Sequence, residues 1–243
     1  MPEQLLFTRI LNGEFAGPMT ALLRALHMEP QFPAAPITNA VAMEFLVFGF
    51  MVMAFILVRS RLSVENPGAL QHVFEGANSF IENQSLDMIG PHSERFTPFL
   101  VTLGLFILLS NLLGLVPGLE SPTAYPVVTL GCAVCTFLYY QANGFATGGI
   151  GYLKHFLGPI WWLTPLMLPL EIISHMARVL SLTIRLYANM FAGDMVTLAF
   201  FSLIPIGVPV IFLGLHLGVA FLQAYIFILL TTVYLAGAVA TEH

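Results

Sequence analysis

The sequence predicts an all-α polytopic membrane protein. It has five membrane-crossing helices, an amphipathic helix on the cytoplasmic face, and a long, strongly tilted hairpin made by the last two helices. Three observations carry this. Hydrophobic residues make up 58% of the 243 residues and charged ones only 9%, too little polar surface for a soluble globule of this size. Apolar runs of membrane-spanning length recur along the chain. And one such run, from Ile160 to Ile204, carries an arginine, Arg185, near its middle. A guanidinium at the centre of a bilayer costs about 2.5–3.5 kcal/mol on insertion scales, so such a residue has a task. The net charge of −5 is spread over short loops, which points to neither a nucleic-acid partner nor an acidic tail.

Residues 1–39 lack a continuous apolar core, which argues against a cleaved signal peptide. Leu5, Leu6, Ile10 and Leu11, then Leu22, Leu23 and Leu26, recur at helical spacing and predict surface-lying helices, ended by Pro30, Pro33 and Pro36. This is an N-terminal extramembrane segment; residues 40–243 form the membrane domain. Its first span is about 41–58. Arg59 and Arg61 close that span and mark the cytoplasmic side, which puts the N-terminus outside. Asn66-Pro67 starts the amphipathic helix, with Leu70, Val73, Phe74, Ala77, Phe80 and Ile81 opposite Gln71, His72, Glu75, Asn78 and Glu82. Spans follow at about 96–116 and 125–145, joined by a short turn over 117–124. Lys154 then lies in a cytoplasmic loop whose glycines, Gly148, Gly149 and Gly151, read as a flexible turn and not a phosphate cradle, since no Lys-Ser/Thr pair follows. Cys132 and Cys135, three apart in a helix, read as inert thiols on one face, because no second Cys or His pair completes a metal site.

The last two spans, about 163–204 and 209–240, are overlong. Leu170 to Ile204 contains no proline and as a helix is about 52 Å long, against a hydrocarbon core of about 30 Å. One strongly tilted helix accommodates it, with the tilt imposed by packing on a partner. Pro205 and Pro209 bracket the outer turn, and the C-terminus returns to the cytoplasm.

Glu171, His175, Arg178, Arg185 and Asn189 fall at increments of four, three, seven and four, a stripe with Ser174 and Ser181 beside it. Antiparallel folding about a turn near residue 207 brings Asp194 to the depth of His216 and Gln223. Single polar residues of this kind tie helices together, but five ionisable groups on one hairpin exceed that need. By depth they form two groups, Glu171 and His175 toward the cytoplasm and Asp194 and His216 toward the outer turn, with Arg185 between. Carboxylates and imidazoles can exchange protons, whereas arginine keeps its charge.

The run Ser181-Leu-Thr-Ile-Arg185-Leu-Tyr-Ala-Asn189-Met-Phe-Ala-Gly-Asp194 resembles the signature of subunit a of the F-type ATP synthase, the stator of its membrane motor. Asn111-Leu-Leu-Gly-Leu-Val-Pro-Gly118 and His216 through Gln223-Ala-Tyr-Ile-Phe227 to Tyr234-Leu235 agree with it, and the likeness runs from about residue 40 to the C-terminus. The resemblance implies that Arg185 faces a rotating ring of c subunits, and that Asn189, Asp194, His216 and Gln223 belong to an outer half-channel. It places Glu171 and Ser181 on the cytoplasmic side, where spacing adds His175. Asp194 stands where many members carry glutamate. The family also implies b-type peripheral stalk subunits as partners, no cofactor or metal, no catalysis by the chain itself, and a location in the bacterial plasma membrane. Two other readings fare worse: a stand-alone proton-coupled transporter lacks the expected repeats, and an intramembrane metalloenzyme lacks an H-E-x-x-H motif.

Overall fold

The structure is a computed structural model and describes residues 4–25, 27, 32, 35–63, 68–91, 93–116, 118–149, 164–203 and 207–239. Asn66-Pro67, Gly151, Lys154, Pro205 and the run's beginning at Ile160 lie outside the described residues. Among the described residues are seven α-helices: α1 (Leu6–Ala25), α2 (Asn39–Ser60), α3 (Ala69–Ile89), α4 (Thr97–Leu113), α5 (Pro126–Gly148), α6 (Thr164–Leu203) and α7 (Val208–Val239). By length and composition α2, α6 and α7 are long and apolar enough to cross a membrane, and α4 is a shorter apolar helix.

Local chemistry sets the boundaries. The Thr38 hydroxyl accepts from the Val41 amide at 3.4 Å and so satisfies one of the free donors that begin α2. Pro98 and Pro126 lie in the first turns of α4 and α5, where the missing N–H costs nothing. Gly90 ends α3 with φ +95°, a conformation that a side chain makes unfavourable. In α6 the helix starts earlier than the proline-free stretch beginning at Leu170, because Pro169 is accommodated inside it. One turn from the end, Pro169 removes a single intrahelical bond, which the packed remainder tolerates. At 40 residues α6 is about 60 Å long, and the 32 residues of α7 about 48 Å.

Among its described residues the N-terminal segment forms one helix, where several were expected, and that helix runs through Pro18. Its anchor is polar. The Asn12 side chain donates to the Ile37 carbonyl and accepts from the Ile37 amide, both at 3.0 Å, so a buried amide is fully used. Beside it, Ile37, Ala42 and Met43 make a small apolar cluster with Leu5, Leu11, Leu113 and Leu119.

The main core joins four helices: Leu103 and Ile107 of α4, Cys132 and Ala133 of α5, Val179, Leu182, Leu186 and Met190 of α6, and Ala224 and Phe227 of α7. Cys132 points into it while Cys135 is exposed, so the two thiols do not share an environment as their spacing had suggested. A second cluster packs Ile81 of α3 with Leu100, Tyr140, Ile228 and Leu235. Only Ile81 of the predicted apolar face of α3 is buried. Leu70, Val73 and Phe80 are exposed, and Gln71 turns inward to exchange two 3.1 Å bonds with the Ser63 backbone. Exposed Phe45, Phe48 and Ile56 on α2 and Leu215, Phe221 and Leu222 on α7 give these helices apolar outer surfaces, as lipid contact requires.

Close approach of α4 to α7 depends on Gly104, where an added Cβ collides with Cδ1 and Cγ1 of Ile228. Gly104→Val therefore lowers stability by about 1–3 kcal/mol through overpacking. Thermal unfolding in detergent will show a lowered midpoint, and Ile228→Ala in the same chain will recover part of it.

Candidate functional site

Helix α6 carries Glu171, His175, Ser181, Arg185, Asn189 and Asp194 in that order, and α7 carries His216 and Gln223. The two helices pack antiparallel, with Arg178 beside Tyr234, Asn189 beside Gln223 and Asp194 beside His216. The result is three levels, from the open end of the hairpin to its turn.

At the open end, His175 is buried and uses both ring nitrogens. Nε2 lies 3.3 Å from Glu171 Oε1, and Nδ1 lies 3.0 Å from the Tyr140 hydroxyl on α5. If the tyrosine donates to Nδ1, the ring carries its proton on Nε2, directed at a partly exposed carboxylate. Arg178 leaves the predicted stripe and stacks its guanidinium carbon 5.2 Å from the Tyr234 ring centre.

At the middle level Arg185 is half-buried. Its Nη2 donates to Ser181 Oγ, one turn back, at 3.3 Å. Among the described residues no carboxylate comes within ion-pairing reach of it. A guanidinium has five N–H donors, so most of its capacity is available to a group from elsewhere.

Toward the turn, the Asn189 side-chain amide donates to Gln223 Oε1 at 2.9 Å, and Gln223 is only 1% exposed. One level further, His216 Nδ1 lies 3.7 Å from Asp194 Oδ1. The expected pairing of Asp194 with His216 in depth is thus present, while Gln223 is paired with Asn189. Gly193 makes room for the imidazole: a Cβ there meets the His216 ring atoms at 3.0–3.2 Å. His216 Nε2 is buried and has no hydrogen-bond partner among the described residues.

Asp194 and His216 line a cavity of about 600 Å³ whose other walls include Leu5, Glu120, Tyr125 and Phe191. The Tyr125 hydroxyl donates to the Glu120 carboxylate. The connection between α4 and α5 is brought here by a buried polar lattice. Thr123 Oγ1 donates to Asn111 Oδ1 at 2.6 Å, Asn111 Nδ2 to the Ala220 carbonyl at 3.3 Å, and Ser121 Oγ to the Ser110 carbonyl at 2.9 Å. Glu120, Tyr125 and Tyr140 escaped the sequence reading because no helical spacing links them to α6. The only signal was an acid in a short loop beside the Asn111 motif.

Ionisable side chains gathered at separate depths of two long apolar helices define a helical membrane protein built to handle charge. The family profile described as ATP synthase A chain matches residues 41–236. The chain is 57% identical over 244 residues to ATP synthase subunit a of Koribacter versatilis (strain Ellin345), with the full length of both covered. It is 48% identical over 235 residues to subunit a of Solibacter usitatus (strain Ellin6076), covering 96% of this chain and all of the relative. Against subunit a of Trichlorobacter lovleyi (strain ATCC BAA-1151 / DSM 17278 / SZ) it is 37% identical over 243 residues, with both chains covered in full. The chain belongs to the ATP synthase subunit a family, a non-catalytic component of the ATP synthase complex whose work is proton transport and ATP synthesis.

Gly193→Val forces the His216 ring away from Asp194, since the ring is the nearest neighbour of any new side chain. ATP-driven acidification of membrane vesicles, normalised to assembled complex, is expected to fall about tenfold, equivalent to about 1.4 kcal/mol in the barrier.

Proposed function

We propose that this chain is the proton-translocating stator of an F-type ATP synthase membrane sector, with two offset half-channels separated by Arg185, which faces a ring of c subunits. The observation that carries this reading is the state of Arg185: half-buried on an apolar helix, held by one bond to Ser181, with no carboxylate of the described residues beside it. A charge so placed calls for a counter-charge supplied by another subunit.

In this mechanism the outer half-channel runs past Asp194 and His216, with the Asn189–Gln223 pair toward the arginine. A proton arriving there neutralises a ring carboxylate, which then enters lipid at a tolerable desolvation cost. After nearly a full turn that carboxylate reaches the approach on the Glu171, His175 and Ser181 side. There the Arg185 guanidinium favours the ionised form and the proton leaves. Because arginine stays protonated, it blocks direct leakage between the two approaches. Proton flow thereby becomes rotation and drives ATP synthesis.

The same reading gives the architecture in the membrane. Helices α2, α4, α5, α6 and α7 are five crossings, α3 lies at the cytoplasmic face, and the α6–α7 hairpin is strongly tilted around the ring. The N-terminal segment, residues 1–39, is outside the membrane and the C-terminus is cytoplasmic, in a bacterial plasma membrane. The b-type peripheral stalk subunits and lipid cover the remaining surfaces.

Replacing Arg185 with alanine is expected to abolish ATP-driven acidification of inverted vesicles at matched assembly. Arg185→Lys will not restore coupling, because an ammonium is compact, strongly hydrated and able to lose its proton when desolvated. Acidification by Arg185→Ala at the wild-type rate would reduce the arginine to helix glue and overturn the proposal.

A further inference from the structure

We infer that Glu120 is the proton-collecting carboxylate at the mouth of the cavity that leads to Asp194 and His216. This deepens the stator reading and rests on it. Glu120 lies in the connection between α4 and α5, outside any helix, and its side chain lines the same cavity of about 600 Å³ as Asp194 of α6 and His216 of α7. At about 30 Å³ per molecule, that space is large enough for a chain of waters, with Glu120, Tyr125, Asp194 and His216 as polar partners.

Three features make Glu120 more than a surface acid. First, it is only half-exposed and held in place: the Tyr125 hydroxyl donates to its carboxylate, and the loop that carries it is locked through Thr123, Asn111 and the Ala220 carbonyl. A fixed carboxylate keeps its position relative to Asp194, whereas a mobile one does not. Second, the rest of the wall is mainly apolar, with Leu5, Leu119, Phe191, Leu198, Phe201 and Leu213 around it. Low-dielectric walls focus the field of a fixed charge along the water-accessible path and raise the local cation concentration. Third, the titratable groups facing the space with it are Tyr125 at the start of α5, Asp194 on α6 and His216 on α7; among the described residues the N-terminal segment contributes only Leu5 and no lysine or arginine lines the cavity. Among the described residues no lysine or arginine in the cavity wall neutralises the attraction.

The chemistry is a simple exchange. The Glu120 carboxylate takes a proton from outer-side hydronium, leaving water, and gives it to cavity water on the path to Asp194, which restores the carboxylate. The residue acts on proton supply and not on the later exchange at the ring.

The test is ATP synthesis by the intact complex in liposomes. The total driving force is held fixed by trading pH difference against membrane potential, while the pH on the side that Glu120 faces is varied. Glu120→Gln is expected to raise the outer proton concentration needed for half-maximal rate by about threefold, the scale of one unit charge acting across several ångströms of water. It reaches the wild-type rate once outer protons are abundant, and Glu120→Asp recovers most of the shift. In the wild type, higher ionic strength at alkaline outer pH lowers the rate, because the Debye length shrinks from about 10 Å at 0.1 M to about 3 Å at 1 M. An unchanged Glu120→Gln curve, an equal loss at every pH, or a salt-independent wild type each overturns the inference. Arg185→Ala in the same assay separates the two levels. If it blocks synthesis while Glu120→Gln does nothing, only the role of Glu120 fails; if it still makes ATP, the stator reading fails with it.

Discussion

A guanidinium cannot shed its charge, and in an apolar environment it cannot stand without a partner. Arg185 meets that constraint with a single weak bond to Ser181, and the surrounding fold is organised to keep it so. The carboxylates of the same hairpin are committed elsewhere: Glu171 to His175 at one end, Asp194 to His216 at the other. Arg178, the other cation nearby, is turned onto the Tyr234 ring. The carboxylates of the hairpin are thus engaged at levels other than that of the arginine. Among the described residues the hairpin presents a cation without a carboxylate partner at one level and carboxylate–imidazole pairs at two others.

Keeping those levels apart requires two long helices in a fixed register. Without a hydrophobic force between helices in lipid, registration comes from close packing and interhelical polar bonds. Both are present. Gly104 lets α4 press against Ile228 of α7, and Gly193 lets α6 press against His216. Asn189 with Gln223 ties α6 to α7, Tyr140 with His175 ties α5 to α6, and Asn111 with the Ala220 carbonyl ties α4 to α7. The polar groups that read as proton machinery are therefore also the structural ties. Removing one changes position as well as chemistry, which is why alanine substitutions alone separate these roles poorly and pH or salt profiles are needed.

Much of this was legible in the sequence. Apolar runs located the helices, the excess length of α6 and α7 announced the hairpin, and antiparallel arithmetic brought Asp194 to His216. What escaped has physical causes. Periodicity reports which residues share a face but not which neighbour that face meets, so His175 and Arg178, assigned to one stripe, point to different helices. An amphipathic pattern does not say whether the apolar side faces protein or lipid, and on α3 it was Gln71, not Leu70 or Val73, that was buried. Pro18 and Pro169 sit inside helices whose other bonds suffice. The Glu120–Tyr125 wall of the cavity is built by a loop, where no spacing rule applies.

The most direct measurement is a high-resolution electron cryo-microscopy structure of the intact complex in lipid. A fixed coupling cation requires the Arg185 guanidinium to face a ring carboxylate, directly or through one water, with the Asp194–His216 pair and the Glu171–His175 pair opening to opposite sides of the membrane. Arg185 turned toward lipid or toward a non-ring subunit, or both pairs opening to the same side, would contradict it.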